Sequence, residues 1–389
     1  MSKSYLDRVV SRRKTGSVKW KENDLIPMWV ADMDFPVAPA IMKGLKDRIA
    51  HPIYGYVDED PLWAKEYHNF WKKHYGLDII EENLHYSHGV VPIVSSFVRA
   101  FSKLGEEVIL MTPVYNVFYH SVENNDRIVS SVPFVYKRGK YSVDFALLEQ
   151  KMASENCHAM VLCNPQNPLG RIFPKEELQK IASLAKKHGI VVLSDEIHGP
   201  ISEPGHPYIP FLSVSEDAEE VGLCALSPTK AFNLAGIQSA AVYAKKQEFA
   251  DLIAKQLNID ECNEPNILSL LAAELAFSCS EDWLEKMNRT VARNRRKAKK
   301  FFEEECPLFH MVDQDATYLL WVDVSKLTKD DEGFAEFLKK EAKVWVNPGS
   351  HYGKEGKGFL RINIACPLST LEEGLARIKK GYDLYQSKK

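Results

Sequence analysis

Three residues with chemically useful side chains each follow an apolar segment of strand length. Asn167 comes after "AMVLC", Asp195 follows "IVVLS" directly, and Lys230 comes after "GLCAL". Each residue alone has an ordinary explanation: a turn amide, a helix-capping acid and a solvated lysine. Because ligands of open parallel sheets bind outside the carboxyl ends of the strands, we expect the three side chains to meet at one edge of a sheet.

A lysine, a carboxylate and an amide at one site are what pyridoxal phosphate (PLP) requires. The lysine forms a Schiff base with the cofactor, and the carboxylate keeps the ring nitrogen protonated so that the ring accepts electrons. The amide can hydrogen-bond the phenolic oxygen of the ring. A cationic ring nitrogen also offsets the cost of burying the carboxylate of Asp195. The pattern therefore predicts a PLP site.

Donors for a phosphate group are predicted at two further places. Ser227 and Thr229 stand just before the lysine in "SPTK", and Gly89 and Val90 lie where "SHGVVPIVSSFVRAF" begins a predicted helix. Free backbone N–H groups at a helix N-terminus bind anions. The chain has neither a GxGxxG nor a GxxxxGK motif, so nicotinamide and P-loop nucleotide sites lack their signatures.

The elements that must position these residues alternate along the chain. Apolar, strand-like runs are followed by polar turns and amphipathic helices. The segment "FPKEELQKIASLAKKHG" is typical of a helix with one apolar stripe and a glycine at its end. Near-continuous apolar strands that alternate with helices predict an α/β fold, with a mostly parallel sheet covered on both faces.

A change of pattern beyond Pro307 predicts a second, smaller α+β domain. Short strands in "TYLLWVDV" and "GFLRINIA" bracket the helix-like "GFAEFLKKEA", and the first 40 residues have the pattern of an extended arm. We predict a large cofactor-binding domain at 41–285 and a small domain formed by 1–40 and 286–389. The site is expected between them.

Composition excludes several classes of function. The 389 residues carry a net charge of −3 and are 45% hydrophobic, so there is no electrostatic footprint for nucleic acid or an anionic membrane. The apolar runs are shorter than a membrane span, and the first residues lack the apolar core of a signal peptide. Seven scattered cysteines without a CxxC pair favour reduced thiols in the cytoplasm and no metal cluster.

At these intervals, "NPQNPLG", "SDEIH" and "SPTKAFN" resemble the fold-type I, aspartate-aminotransferase-like superfamily of PLP enzymes. More narrowly, "ADMDF", "YGY", "TPVYNVFY" and "FLRIN" resemble the MalY/PatB-type cystathionine β-lyases. The resemblance covers essentially the whole chain. It implies an aminotransferase-like PLP fold and a homodimer with shared active sites.

The resemblance implies a role for each matching residue around the cofactor ring. Lys230 is implied to hold the cofactor, Asp195 to pair with the ring nitrogen, and Asn167 to bond the phenolic oxygen. Tyr115 is implied to stack on one face of the ring and Ile197 on the other, although Tyr115 could also be a core residue. Lys230, Asp195 and Tyr115 are the implied catalytic residues.

The resemblance also implies which residues contact the phosphate and the substrate. Ser227, Thr229, Gly89 and Val90 are implied to bind the phosphate. Tyr56 is implied to reach it from the second subunit, although it could also be a simple turn residue. For the substrate, Arg361 is implied to clamp the carboxylate in a bidentate pair, and Asn167 is also counted among the substrate-binding residues.

Two positions depart from the transaminases of this superfamily. His198 stands three residues after Asp195, where they usually carry a tyrosine. Gln238 stands eight residues after Lys230, where they usually carry an arginine for the phosphate. Both departures are shared with the MalY/PatB-type branch, and His198 is counted among the predicted cofactor contacts. They favour elimination without excluding transamination.

The sequence thus predicts a PLP-dependent C–S β-lyase that cleaves L-cystathionine or related S-substituted cysteines to a thiol, pyruvate and ammonia. An aminotransferase is the alternative, because both reactions begin with the loss of the Cα proton. A non-catalytic regulatory protein with an enzyme fold is a third interpretation. It is disfavoured because every implied cofactor contact has a suitable residue. "VYNVFYH" and "MWVADMDF" indicate an aromatic-lined substrate pocket.

Overall fold

The computed structural model describes residues 4–58 and 61–388. Its strands are β1 Ile26–Pro27, β2 Leu84–Ser87, β3 Glu107–Thr112, β4 Ile128–Pro133, β5 Val135–Lys137, β6 Lys140–Ser142, β7 Cys157–Cys163, β8 Val191–Asp195, β9 Gly222–Leu226, β10 Ala240–Tyr243, β11 His310–Met311, β12 Leu319–Asp323, β13 Val344–Trp345, β14 Asn347–Pro348 and β15 Phe359–Asn363.

The α-helices of the same residues are α1 Pro39–Ala50, α2 Pro61–Tyr75, α3 Val90–Phe101, α4 Asn116–Glu123, α5 Phe145–Met152, α6 Lys175–His188, α7 Glu216–Val221, α8 Gln247–Ile259, α9 Ile267–Cys279, α10 Glu281–Glu305, α11 Asp331–Phe337 and α12 Leu368–Gln386. A π-helical turn, Leu338–Ala342, directly follows α11.

A seven-stranded sheet forms the centre of the described chain, in the order β2-β10-β9-β8-β7-β3-β4. Strands β4, β3, β7, β8 and β9 run parallel, and β10 is antiparallel to both of its neighbours. Successive side chains alternate between two apolar layers: Val161 and Leu193 join one core, and Met160 and Val192 join the other. The prediction of a mostly parallel sheet buried on both faces is confirmed.

Helix α6 shows why the connections between these strands form as they do. Its apolar stripe, which includes Leu178, Ile181 and Ala185, is buried against the sheet. Pro174 is its N-cap, and Gly189 takes the left-handed conformation at its C-cap with φ +67°. A residue with a Cβ is disfavoured in that conformation, so the glycine lets the chain turn at once into β8.

A four-stranded antiparallel sheet, β11-β12-β15-β14, lies in the C-terminal part of the described chain. Its third strand carries Arg361, which stands opposite Trp321 of β12 and Asn347 of β14. Helix α10 runs across the predicted division between 285 and 286, so one continuous helix connects the two sheets. The predicted domain bounds stay a prediction.

The N-terminal arm is bonded to the C-terminal part of the described chain and to the loop that carries Lys230. Strand β1 pairs in parallel with β13, and the N–H of Asn363 donates to the carbonyl of Met28 (2.8 Å). The side-chain amide of Asn233, three residues after Lys230, donates to the carbonyls of Met33 (3.2 Å) and Phe35 (2.8 Å). These bonds bring the arm against the loop that carries the lysine.

The described helices include none that is long and apolar enough to cross a membrane. No group of three or more His, Cys, Asp or Glu side chains within 4–58 and 61–388 is arranged to hold a metal ion. All seven cysteines are free thiols, and Cys279 alone among them is exposed.

Candidate active site

The carboxyl ends of β7, β8 and β9 open into one cavity of about 280 Å³, which we call the inner cavity. Asp195 is the last residue of β8, and Asn167 and Lys230 lie in the loops that follow β7 and β9. All three residues line this cavity. Its lining also includes Ala31, His88, Gly89, Val90, Val91, Pro92, Tyr115, Phe118, Cys163, Ile197, His198, Thr229, Ala235 and Gln238.

Asp195 is a buried carboxylate with 4% exposure. It accepts a hydrogen bond from the backbone N–H of Ile197 (3.0 Å). Burial raises its pKa to about 7, although this hydrogen bond and the charge of Lys230 act in the opposite direction. A carboxylate in this position is stabilised by any cationic group placed against it.

The neighbouring Glu196 has a different function, which the sequence did not reveal. Its carboxylate turns away from the inner cavity and accepts hydrogen bonds from the hydroxyl of Ser194 (2.9 Å), the N–H of Phe211 (2.7 Å) and the hydroxyl of Tyr208 (3.2 Å). Burial raises its pKa to about 7. Successive side chains leave a strand on opposite sides, so one acid faces the site and the other holds the 208–211 loop.

Lys230 is shared by the inner cavity and a second, larger one. Its Nζ donates to the carbonyl of Ala31 in the N-terminal arm (2.7 Å), and the hydroxyl of Tyr318 donates to the same oxygen (3.1 Å). Burial, together with the nearby charge of Arg361, lowers the pKa of Lys230 to about 8, although the charges of Asp32 and Asp195 act in the opposite direction. A larger share of this amine is therefore neutral near pH 7 than for an exposed lysine.

The second cavity, called the outer cavity, has a volume of about 640 Å³. It shares Ala31, Tyr115 and Lys230 with the inner cavity. The rest of its lining is Trp29, Val30, Asn116, Val117, Glu332, Ala335, Glu336, Lys339, Trp345, Val346, Asn347, Pro348, His351, Tyr352 and Arg361. The indoles of Trp29 and Trp345 are stacked, with ring centroids 4.3 Å apart.

Arg361 lies in the lining of the outer cavity and is only 3% exposed. Its guanidinium donates to Oδ1 of Asn167 (3.2 Å) and to the carbonyl of Trp29 (2.9 Å), and it lies 4.7 Å from the ring centroid of Tyr352. Its buried Nε has no hydrogen-bond partner among the described residues. A guanidinium that is held in place and has an unused N–H donor is suited to binding a carboxylate.

His198 is buried beside these cations. Burial lowers its pKa to about 3, and the charges of Lys230 and Arg361 act in the same direction. The imidazole is therefore neutral at physiological pH. Its Nδ1 is buried without a hydrogen-bond partner in the described part of the chain, and the residue lines the inner cavity. It can exchange a hydrogen bond with a bound molecule there.

The neutrality of His198 predicts a pH-dependent stability of the ligand-free protein. Its folded pKa lies below its unfolded value, so acid protonates the unfolded chain first and stability is lost as the pH falls below about 6.5. Between pH 7 and pH 5 this one residue should cost about 2 kcal/mol. Urea unfolding at pH 7 and pH 5 measures the loss in the free energy of unfolding. This loss should be about 2 kcal/mol smaller in His198→Asn than in the wild type. The exposed His206→Asn is the control, and equal pH dependence in both variants would contradict the assignment.

The predicted phosphate residues divide into two groups. Gly89 and Val90 stand at the start of α3 and line the inner cavity with Thr229. Ser227 lines neither cavity among the described residues. Its hydroxyl donates to the carbonyl of Ser239 (2.7 Å) and accepts from the N–H of Thr229 (3.1 Å). Ser227 therefore holds Thr229 in position through this hydrogen bond, and a direct contact of Ser227 with the phosphate stays a prediction.

Four further residues that the sequence analysis singled out are Tyr115, Ile197, Gln238 and Tyr56. Tyr115 and Ile197 both line the inner cavity, and burial raises the pKa of Tyr115. Gln238 lines it with a left-handed backbone, φ +59°. Tyr56 is fully exposed between α1 and α2 and lies outside both cavities of the described chain, so its role stays a prediction.

Several outer-cavity residues were missed by sequence reasoning. Trp345, Tyr352 and Asn347 come from short elements of the C-terminal part, where no motif marks them. The contact through the carbonyl of Ala31 could not be recognised from residue type, because it is made by a backbone group. The segment "MWVADMDF" did predict an aromatic lining, and Trp29 confirms it.

Comparisons with known proteins agree with this geometry. The family model for aminotransferase class I and II matches residues 23–378. The cystathionine β-lyase PatB of Bacillus subtilis is 36% identical over 96% of this chain and 98% of its own. The protein MalY of Escherichia coli is 32% identical over 95% of this chain and 96% of its own.

Solved structures are similar over the same length. Cystalysin from Treponema denticola, which contains a pyridoxal 5'-phosphate cofactor, has a TM-score of 0.94 at 31% identity, over 98% of this chain and 99% of its own. A PLP-bound putative aminotransferase from Clostridium difficile also has a TM-score of 0.94, at 35% identity, over 97% and 99%. The chain therefore belongs to the class I and II aminotransferase family, and it is a relative of PatB and MalY within that family.

Proposed function

We propose that this chain is a PLP-dependent C–S β-lyase that cleaves L-cystathionine or related S-substituted cysteines by α,β-elimination. The products are a thiol, pyruvate and ammonia. One observation carries the proposal: Lys230, Asp195 and Arg361 come from separate elements to two cavities that adjoin at the lysine. The similarity to PatB, a cystathionine β-lyase, supports this class of reaction.

The residues of the inner cavity fit PLP. The buried Asp195 with its raised pKa suits a cationic ring nitrogen, and the unpartnered Nδ1 of His198 lies with Asn167 in the same lining, where they suit the phenolic oxygen. The start of α3 and Thr229 suit the phosphate. When bound, the cofactor supplies a sink for the electron pair left by cleavage of the substrate Cα–H bond.

Arg361 positions the substrate. Its free Nε and its terminal nitrogens bind the α-carboxylate, while Tyr352 and Asn167 hold the guanidinium in place. The carboxylate replaces water in a buried site, where charge-assisted bonds are strong. This contact places the Cα hydrogen within the cavity that Lys230 shares.

Lys230 transfers the Cα proton of the substrate. Its Nζ accepts the Cα proton, since burial lowers the pKa and leaves part of the amine neutral. The electrons of the Cβ–S bond leave with sulfur, and the lysine ammonium can return its proton to the departing thiolate. The released aminoacrylate then hydrolyses to pyruvate and ammonia.

The assembly and location also belong to this proposal. A homodimer, in which Tyr56 of one subunit reaches the phosphate site of the other, is supported by exposed apolar side chains between α1 and α2. Ile53 is 66% exposed, Tyr54 59% and Tyr56 105%. We also propose that the chain divides into domains at 41–285 and at 1–40 with 286–389, with the site between them. The seven free cysteines favour a cytoplasmic location.

Incubation with L-cystathionine and no keto acid tests the reaction. We expect pyruvate and free thiol in equal amounts over many turnovers, because elimination needs no second substrate. The measurement is coupled detection of pyruvate together with a thiol reagent. If product forms only after a keto acid acceptor is added, the chain is an aminotransferase instead.

Mixing two inactive variants tests the shared site. Tyr56→Ala and Lys230→Ala should each have low activity, but a heterodimer of the two contains one site with both native residues. Subunit exchange should restore about a quarter of wild-type activity, since half of the dimers are mixed and half of their sites are intact. No recovery in a verified heterodimer would place Tyr56 outside the partner's site.

A further inference from the structure

Two glutamates line the outer cavity. Glu332 and Glu336 are exposed and stand four residues apart on α11, so they share one face of the helix. Glu332 accepts a hydrogen bond from the hydroxyl of Ser350 (2.9 Å). Within 4–58 and 61–388, neither carboxylate has an ion-pair partner. Like charges at this spacing repel each other, and a bound cation would relieve that repulsion.

Besides His351, which also lines the outer cavity, the basic groups at this end are already engaged or lie outside the lining. Lys339 is in the lining, but its Nζ is 2.9 Å from a carboxylate oxygen of Glu22 and 3.9 Å from the ring centroid of Trp345. Lys21 lies 5.3 Å from the same ring centroid and is not part of the lining. The unbalanced charge at the exposed end is therefore negative.

The buried end of the same cavity has the opposite character. Arg361 is 3% exposed, with its Nε buried and unpartnered among the described residues, and Lys230 lies in the same lining. The stacked indoles of Trp29 and Trp345 add an apolar wall. The cavity is thus suited to a molecule with a carboxylate at one end, an apolar middle and a cation at the other end.

We infer that Glu332 and Glu336 bind an ammonium group at the far end of the sulfur substituent. The enzyme then prefers S-substituted cysteines with a terminal amino group over those with a neutral or acidic end. The far end of L-cystathionine carries an ammonium beside a carboxylate. This inference deepens the proposed function and rests on it for the reaction, but the binding preference can be measured without any turnover.

Binding of three amino acids without a β-leaving group tests the preference. L-Lysine, L-norleucine and L-2-aminoadipate carry a cationic, a neutral and an anionic end on chains of similar length. Titration of the holoenzyme, followed by its cofactor absorption, yields a Kd for each. We expect lysine to bind about fivefold more tightly than norleucine, and 2-aminoadipate to bind most weakly. Raised salt should reduce these differences.

The double variant Glu332→Gln/Glu336→Gln should bind lysine no more tightly than norleucine, while its norleucine affinity stays unchanged. Glu341→Gln is the control, because it removes one carboxylate charge from an exposed residue nearby that is not in the cavity lining. It should keep the wild-type ratio. No preference for lysine in the wild type, or a preference that survives in the double variant, overturns the inference.

Pyruvate formation from S-aminoethyl-L-cysteine and S-ethyl-L-cysteine separates this inference from the proposed reaction. A lysine preference without pyruvate from either compound supports the ammonium site and rejects the lyase. Pyruvate from both compounds at equal efficiency, with equal binding of lysine and norleucine, keeps the lyase and rejects the ammonium site.

Discussion

Lys230→Ala should lower kcat/KM for L-cystathionine by about 10⁴-fold or more. The change removes both the amine that holds the cofactor and the base that accepts the Cα proton. The fold should persist, because Tyr318 still donates to the carbonyl of Ala31 and keeps the arm in place. Steady-state pyruvate assays measure the loss. Borohydride reduction followed by peptide mass spectrometry should show the cofactor on Lys230 in the wild type and no such label in Lys230→Ala.

Lys255→Ala is the control for this experiment, since Lys255 is exposed on α8, away from both cavities. It should retain wild-type activity and the borohydride label. If Lys230→Ala keeps more than about a hundredth of the activity, the general-base assignment is wrong. A borohydride label on a different lysine would show that the cofactor is attached there and not to Lys230.

Arg361→Ala should lower kcat/KM by about 10²- to 10³-fold, the cost of leaving a buried substrate carboxylate without its charged partner. The native guanidinium is held by Asn167, the carbonyl of Trp29 and the ring of Tyr352, so little reorganisation is needed on binding. Arg361→Lys should be intermediate, because an ammonium cannot form the bidentate pair.

Replacing the substrate carboxylate provides the matching test. The wild type should lose a similar factor when S-ethyl-L-cysteine is exchanged for its carboxamide, whereas Arg361→Ala should discriminate little between the two compounds. If both proteins discriminate equally, Arg361 does not contact the carboxylate, and its role would be limited to holding Asn167 and Trp29.

Local patterns in the sequence predicted the elements that carry the cofactor residues. Strand β9 coincides with the apolar run "GLCAL", and α6 ends where Gly189 permits a left-handed turn. These features depend on near neighbours along the chain, namely apolar periodicity and capping. Because parallel strands bring their carboxyl ends to the same edge, the convergence of Asn167, Asp195 and Lys230 could be predicted as well.

Residue types and their spacing in the sequence were therefore enough to predict the inner cavity as a PLP site. Tertiary structure alone showed that the adjacent Glu196 turns away from the inner cavity and binds the 208–211 loop, because the direction of a side chain depends on the register of its strand. It also decided that the carbonyl of Ala31 meets Lys230, 199 residues away, and that Trp345 stacks on Trp29. Such contacts arise where the arm meets distant parts of the chain, through the pairing of β1 with β13 and the hydrogen bonds to Ala31, and nothing local in the chain encodes them.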